Sequence, residues 1–425
     1  MLNPIPNYVS HVELFNLLPP QKVIICKLTS ILCYPTLKMT VLVAKLYSIP
    51  FKLHYNSLLK KLSSTEQQIT TTSAISTRPE ETTVISNPSF TDGVATNDLH
   101  INTFDSLSVR IFLPESALLI PLSQAQPPFR GYSPPLDTIK LGRKLPLVVQ
   151  FHGGGFVSGS HVSFDNDVIC RRVAKQWDAI VVAVGYRLAP ETKYPGAFED
   201  GNMVLVWLAR QFNLAACKIV GDHAQIFDGF GTSMVDPWLA VHGDPSRCVL
   251  LGSSSGANIA NHLARRYADF EKKIQPVKIV AQVLLYPFFI GKLPMHSEVS
   301  LANAYVWEKR MCVEAWKLFL GRNEFDLDHP AANPLAMRCR HRLPPTLIVA
   351  AEDDFMRDRA IAYAEELREN LKTDCHVIEY KGAVHDFATL GPLMRTRLAL
   401  ACSEDVAIWA KKYISLRGHR SEEHT

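Results

Sequence analysis

Four groups of residues in this chain have the types and order that acyl transfer needs. The first is Gly252-Ser253-Ser254-Ser255-Gly256, which follows the apolar run Cys248 to Leu251 and precedes the helix-like run Ala257 to Ala268. A strand that turns into a helix over five residues forces a sharp turn. Flanking glycines let the two backbones approach without a Cβ clash, so Ser254 sits at a strained turn as the candidate nucleophile. The second is His152-Gly153-Gly154-Gly155-Phe156, directly after the apolar run ending at Phe151. Successive glycines present backbone N–H groups with no side chain in the way, as a developing oxyanion requires. A phosphate loop would need G-x-G-x-x-G or a Gly-Lys-Ser/Thr ending, and neither is present. The N–H of Ser255, at the first turn of the following helix, is the expected further donor beside Gly153, Gly154 and Gly155.

The third group, Glu352-Asp353-Asp354-Phe355-Met356-Arg357-Asp358, follows the apolar run Thr346 to Ala350 and supplies the acid. Asp354 at the turn is favoured. Asp358 reads as a cap of the next helix, and spacing alone leaves Asp353 and Asp358 open. The fourth is His385, in a short loop after Val377 to Tyr380. It comes after the nucleophile and the acid in the order Ser, Asp, His. The roles follow: Ser254 attacks an ester carbonyl, His385 carries the proton, and Asp354 holds the imidazole tautomer and stabilises the imidazolium. The other histidines among the 15 of the chain read as surface or satisfied core residues.

These residues need a scaffold that ends several strands at one edge. Apolar strands at Leu147–Phe151, Ala179–Val184, Cys248–Leu251, Val280–Tyr286, Thr346–Ala350 and Val377–Tyr380 alternate with helices near 164–176, 198–212, 256–268, 312–320, 358–371 and 400–416. Near-continuous apolar strands between amphipathic helices imply a parallel sheet covered on both faces. An alternating stretch at 97–113 predicts an antiparallel hairpin in front of it. The fold class is α/β, with a mostly parallel sheet of about eight strands and ligands bound beyond the strands' carboxyl ends.

The flanking segments differ in character. Residues 1–38 hold apolar patches broken by prolines and lack a clean secretory signal, so Met39 is expected to be the working start and 1–38 an extension. Residues 39–61 are apolar with interspersed lysines, and Pro50 is expected to break them. They read either as a basic amphipathic helix on a lipid surface or as a pair of short helices packed on the body, and the broken run favours the second. With the Ser/Thr/Glu/Pro-rich residues 62–93 they make a cap and linker, followed by a catalytic domain over 94–418. Residues 114–144 read as a proline-rich surface loop. Residues 420–425 match the translation of a common sequencing-library adapter, and 419–425 are expected to be an artefactual tail.

Composition excludes several function classes. The chain of 425 residues is 47% hydrophobic and 20% charged with a net charge of +4, and it has no basic stripe, so nucleic acid is not an expected partner. No apolar run reaches the ~18 residues needed to span a bilayer. Nine cysteines without C-x-x-C or zinc spacing predict free thiols, no metal, and a reducing, cytoplasmic location. No cofactor is expected; the partner is a small-molecule ester, and the chain a monomer or weak homodimer.

Taken together, His152-Gly153-Gly154-Gly155, Tyr186-Arg187-Leu188-Ala189-Pro190-Glu191, Phe198-Glu199-Asp200-Gly201, Gly252-Ser253-Ser254-Ser255-Gly256, Asp354-Phe355-Met356-Arg357-Asp358 and Val384-His385-Asp386-Phe387 resemble the hormone-sensitive-lipase group of α/β-hydrolases, and more narrowly the plant carboxylesterases, over roughly residues 80–418. The resemblance implies the α/β-hydrolase fold, Asp354 as the triad acid, an N-terminal helical cap over the site, and Asp200 as a brace for strand-end loops. The same plant group includes soluble gibberellin receptors, which bind a hormone without turnover; they lack the catalytic histidine and carry Ser at the last glycine of the HGGG run. His385 and Gly155 are present here. The isoflavanone dehydratase branch replaces the nucleophile by Thr, against Ser254 here. Tuliposide-type transesterification keeps the whole triad, so the resemblance leaves it open.

Overall fold

A computed structural model describes residues 24–25, 34–66, 78, 81–102, 107–118, 131–134, 142–220, 227–228, 231–232, 235–336 and 341–420. Eight strands carry the fold: β1 (Val94–Asn102), β2 (Leu107–Pro114), β3 (Leu145–Phe151), β4 (Ile180–Gly185), β5 (Gly243–Ser253), β6 (Ile279–Leu285), β7 (Thr346–Ala351) and β8 (Cys375–Tyr380). They lie in one sheet in the order β8-β7-β6-β5-β3-β4-β2-β1, and Ile24–Ile25 pairs along the outer edge of β8. β3 to β8 are mutually parallel, whereas β1 and β2 are antiparallel to each other and β2 is antiparallel to β4. This is the expected α/β-hydrolase sheet with its leading hairpin. Every residue of β3 and β7 is buried, as strands covered on both faces require.

The longer helices are α1 (Tyr34–Glu66), α2 (Phe164–Trp177), α3 (Gly196–Val220), α4 (Ser255–Phe270), α5 (Lys309–Leu320), α6 (Arg357–Glu369) and α7 (Arg397–Arg420). α2 and α7 pack together on one face of the sheet, and α3 and α4 on the other. α6 joins the second group, where Tyr363 donates to Asn261 of α4 at 2.8 Å. The local sequence explains the boundaries of α2. The Ser163 side chain accepts from Asn166 N–H at its start, and Asp178 ends it with φ +56°.

Two expectations are corrected. Pro50 does not divide the N-terminal segment: α1 is one helix of 33 residues with Pro50 inside it. A proline removes one intrahelical bond, but Pro50 is exposed, and the buried Ala44, Ser48, Tyr55, Leu58, Leu59 and Leu62 hold both halves onto the body. β5 also begins earlier than the apolar run, at Gly243. The expectations for residues 1–23, 26–33 and 421–425 fall outside the described residues.

Candidate active site

β5 ends at Ser253, and α4 begins at Ser255, so Ser254 alone makes the turn. Its backbone has φ +50° and ψ −120°, a conformation that costs a non-glycine residue about 1–3 kcal/mol. The surroundings over-determine it. Ser254 N–H donates to Leu285 O at 3.0 Å, and Ser254 O accepts from Ala257 N–H and Phe288 N–H. A Cβ at Gly252 would lie 2.2 Å from Gly256 O, and one at Gly256 would lie 2.2 Å from Phe151 O. Both glycines are therefore demanded by close approach of strand and helix. Asn258 on α4 ties the neighbouring loop by giving to Phe288 O and taking from Phe288 N–H.

Ser254 Oγ lies 2.8 Å from His385 Nε2, and His385 Nδ1 lies 2.7 Å from Asp354 Oδ2. All three side chains are buried. Asp354 Oδ1 accepts Met356 N–H, which leaves Oδ2 directed at the imidazole. The other carboxylates of the run serve different partners. Glu352 accepts from Lys381 and Gly382 N–H, and Asp358 accepts from Ser297 N–H and Arg357. Asp353 stays half-buried, its N–H given to Ala383 O. Burial alone would push the His385 pKa down, but the anions of Asp354 and Asp386 outweigh it and hold it above the ordinary imidazole value.

The glycine loop lies against the nucleophile. A Cβ at Gly153 would meet the Ser254 Cβ at 3.3 Å. Gly154 has φ +113° and its carbonyl accepts from Val157 and Ser158 N–H and from Tyr55 Oη, while Gly155 has φ +63°. His152 stacks on Tyr186 with ring centroids 4.2 Å apart, and Tyr186 Oη donates to His152 O. Burial pushes the His152 pKa down to about 4, so its ring is neutral and acts as a brace. Asp200 accepts Arg187 N–H and its guanidinium, the loop-holding part expected for it.

Sequence reading did not assign a role to Asp386, though it stands in the quoted Val384-His385-Asp386-Phe387 motif. Its carboxylate is buried, 3.8 Å from His385 Nε2, and accepts from Trp307 Nε1–H at 2.9 Å and Thr389 Oγ1 at 3.2 Å. Burial raises its pKa, with His385 pulling the other way. Trp307 carried no local signal at all. It closes the site from above with its ring 5.7 Å from His385 and 4.6 Å from Tyr55 of α1. A cleft of about 430 Å³ reaches this point between α1, the glycine loop and the start of α2, lined by Phe51, Tyr55, Gly153, Gly154, Trp307 and Asp386 among others. Positive φ at non-glycine residues recurs here: Ser254 makes the turn, Asp386 lines the cleft, Tyr286 has its ring 5.3 Å from His385, and Val306 precedes Trp307. Such backbone strain persists only where the surroundings enforce it, and it concentrates at working sites.

Comparison with known proteins finds relatives of this chain. A family described as alpha/beta hydrolase fold matches residues 148–389, and one described as carboxylesterase family matches residues 65–191. The chain is 50% identical to the Arabidopsis thaliana protein named Probable carboxylesterase 16, over 88% of this chain and 98% of that one. It is 33% identical to the Arabidopsis thaliana gibberellin receptor GID1A, over 67% of this chain and 73% of the receptor. Among solved structures, the thermophilic carboxylesterase EstE1 from a metagenomic library superposes with a TM-score of 0.57 at 24% identity, covering 85% of this chain and 97% of that one.

Proposed function

The chain belongs to the alpha/beta hydrolase fold family as a relative of the plant carboxylesterases and a carboxylic-ester hydrolase, and on that premise we propose that it works through an acyl-enzyme with Ser254, His385 and Asp354 as its triad. The observation that carries this reading is the buried relay from Asp354 Oδ2 through His385 to Ser254 Oγ, at 2.7 and 2.8 Å. Ser254 Oγ attacks the carbonyl carbon as its proton passes to His385 Nε2. The oxyanion is received by backbone N–H groups of Gly153, Gly154, Gly155 and Ser255. Collapse breaks the bond to the alkoxy oxygen, which leaves as the alcohol with the proton from Nε2. Water then repeats the sequence: its proton goes to Nε2, its oxygen adds to the acyl carbon, and the acid departs as Ser254 recovers its proton. Asp354 keeps Nδ1 protonated throughout. The substrate is a small-molecule ester, no cofactor takes part, and the chain acts as a monomer or weak homodimer.

Hydrolysis of p-nitrophenyl esters of increasing acyl length, with Ser254→Ala as control, tests the reading. Loss of the nucleophile is expected to lower kcat by on the order of 10⁶. Wild-type turnover no better than that of Ser254→Ala would refute it. The receptor-like alternative predicts tight gibberellin binding by isothermal calorimetry without turnover; His385 within hydrogen-bond reach of Ser254 favours hydrolysis.

A further inference from the structure

Helix α1 is apolar on two sides. One side enters the body through Ala44, Tyr55, Leu58 and Leu62. The other carries Leu42, Leu46, Ile49 and Leu53, which are 49%, 65%, 66% and 70% exposed. Their spacing of four, three and four residues makes one continuous stripe along the helix. A continuous apolar stripe exposed on a helix belongs in a covered setting. Charge narrows what can cover it. From Tyr34 to Thr65 the helix has no Asp or Glu, and Lys45 and Lys60 are exposed on it. Lys52 is engaged by Glu308 at 2.7 Å. A second copy seated on the stripe would oppose one lysine-bearing helix to another, with no carboxylate from either. Residues 1–33 carry Glu13 against Lys22 and Lys27, so they too lack the complementary charge.

We propose that this outer face of α1 seats on an anionic lipid bilayer, with Leu42, Leu46, Ile49 and Leu53 in the headgroup–acyl boundary and the lysines at the phosphates. Among the described residues no helix is long and apolar enough to cross a membrane, so the helix lies on the surface. The opposite side of the same helix lines the cleft through Tyr47, Phe51, His54 and Tyr55, so docking sets the cleft one helix diameter (~10 Å) from the bilayer. Its consequence for substrate supply rests on the ester-hydrolase reading; the docking itself does not.

Co-sedimentation of the full chain with vesicles tests the proposal without any turnover measurement. Vesicles of phosphatidylcholine alone are compared with an equimolar phosphatidylcholine–phosphatidylserine mixture, at low and high salt. The wild type is expected to pellet with the anionic vesicles at low salt. Ile49→Gln/Leu53→Gln is expected to weaken partitioning on the order of 30-fold, from the apolar area left in water. Lys60→Gln is expected to weaken it on the order of 5-fold, at about 1 kcal/mol for the lysine. An unchanged thermal midpoint in both variants separates these losses from misfolding. No pelleting of the wild type, or equal pelleting of wild type and variants, overturns the proposal. A wild-type dimer in sedimentation velocity that dissociates in Ile49→Gln/Leu53→Gln also overturns it, assigning the stripe to a second copy.

Discussion

Asp386 sits beside His385 Nε2, the nitrogen that faces Ser254 Oγ, while Asp354 holds Nδ1. Two donors, Trp307 Nε1–H and Thr389 O–H, point at its carboxylate, an arrangement suited to the anion. An anion there favours the imidazolium and so raises the His385 pKa against the effect of burial. The sign for activity follows. The base works when neutral, so kcat/KM is expected to rise with pH along a limb on the alkaline side of the ordinary imidazole value. Asp386→Asn removes the charge and keeps most of the volume. It is expected to move that limb to lower pH, as a pH profile of kcat/KM would read. A variant profile that overlays the wild type would count against electrostatic coupling and leave Asp386 as a tether for Trp307 alone.

At the scale of elements, the cap and the catalytic loop are joined by an aromatic ladder. Tyr47, Phe51 and Tyr55 succeed each other every four residues on α1, with centroids 6.0 and 5.7 Å apart. Phe51 and Tyr55 both meet Trp307, which meets His385. Ser48 Oγ accepts Val306 N–H next to Trp307, and Tyr55 Oη donates to the carbonyl of Gly154. The cap is thereby registered on the site at three heights. Phe51→Ala removes the central ring of the ladder. It is expected to destabilise the protein by about 2–4 kcal/mol, and to raise KM more than it lowers kcat, because the ring lines the cleft without touching the relay. Steady-state kinetics with a short acyl ester beside a denaturation curve would separate the two effects. A fall in kcat alone would argue that α1 positions His385 rather than substrate.

For the molecule as a whole, the frontal hairpin is joined to the parallel body by the pairing of β2 with β4 and by the buried cation of Arg110. Arg110 on β2 is 1% exposed and donates to Asp98 on β1 at 2.6 and 2.8 Å, to Asp167 on α2 at 3.3 Å, and to Val84 O at 2.8 Å. Removing it leaves Asp167 buried with one cation fewer, although Arg171 still reaches that residue. Arg110→Met is expected to cost about 3–5 kcal/mol of stability, the usual result of breaking a buried ion pair from one side. Below its lowered thermal midpoint the variant should keep wild-type kcat, since none of these groups approaches the relay. A midpoint within a degree or so of wild type would show that the hairpin is held by its strand pairing alone.

The sheet was legible in the sequence because parallel strands buried on both faces read as unbroken apolar runs, and six of them alternate with helices. The candidate nucleophile, base and glycine loop were legible because each lies just past such a run, where residue type and local spacing suffice. The acid was legible as Asp354, favoured by its place at the turn and by the family resemblance, while spacing alone left Asp353 and Asp358 open. Which of them reaches the imidazole depends on the turn in which Met356 N–H claims Asp354 Oδ1 and frees Oδ2. The unbroken course of α1 through Pro50 was hidden, because a local breaker was outweighed by contacts with residues some 250 positions away, such as Ser48 with Val306. Trp307 over the imidazole and Asp386 at its working nitrogen were hidden for the same reason. The α1 stripe was half visible: the sequence showed an apolar, lysine-bearing segment, but only the docked helix shows which of its leucines face outward. Sequence alone settled what is written within one strand end or one turn; the tertiary structure decided every contact between elements that only folding brings together.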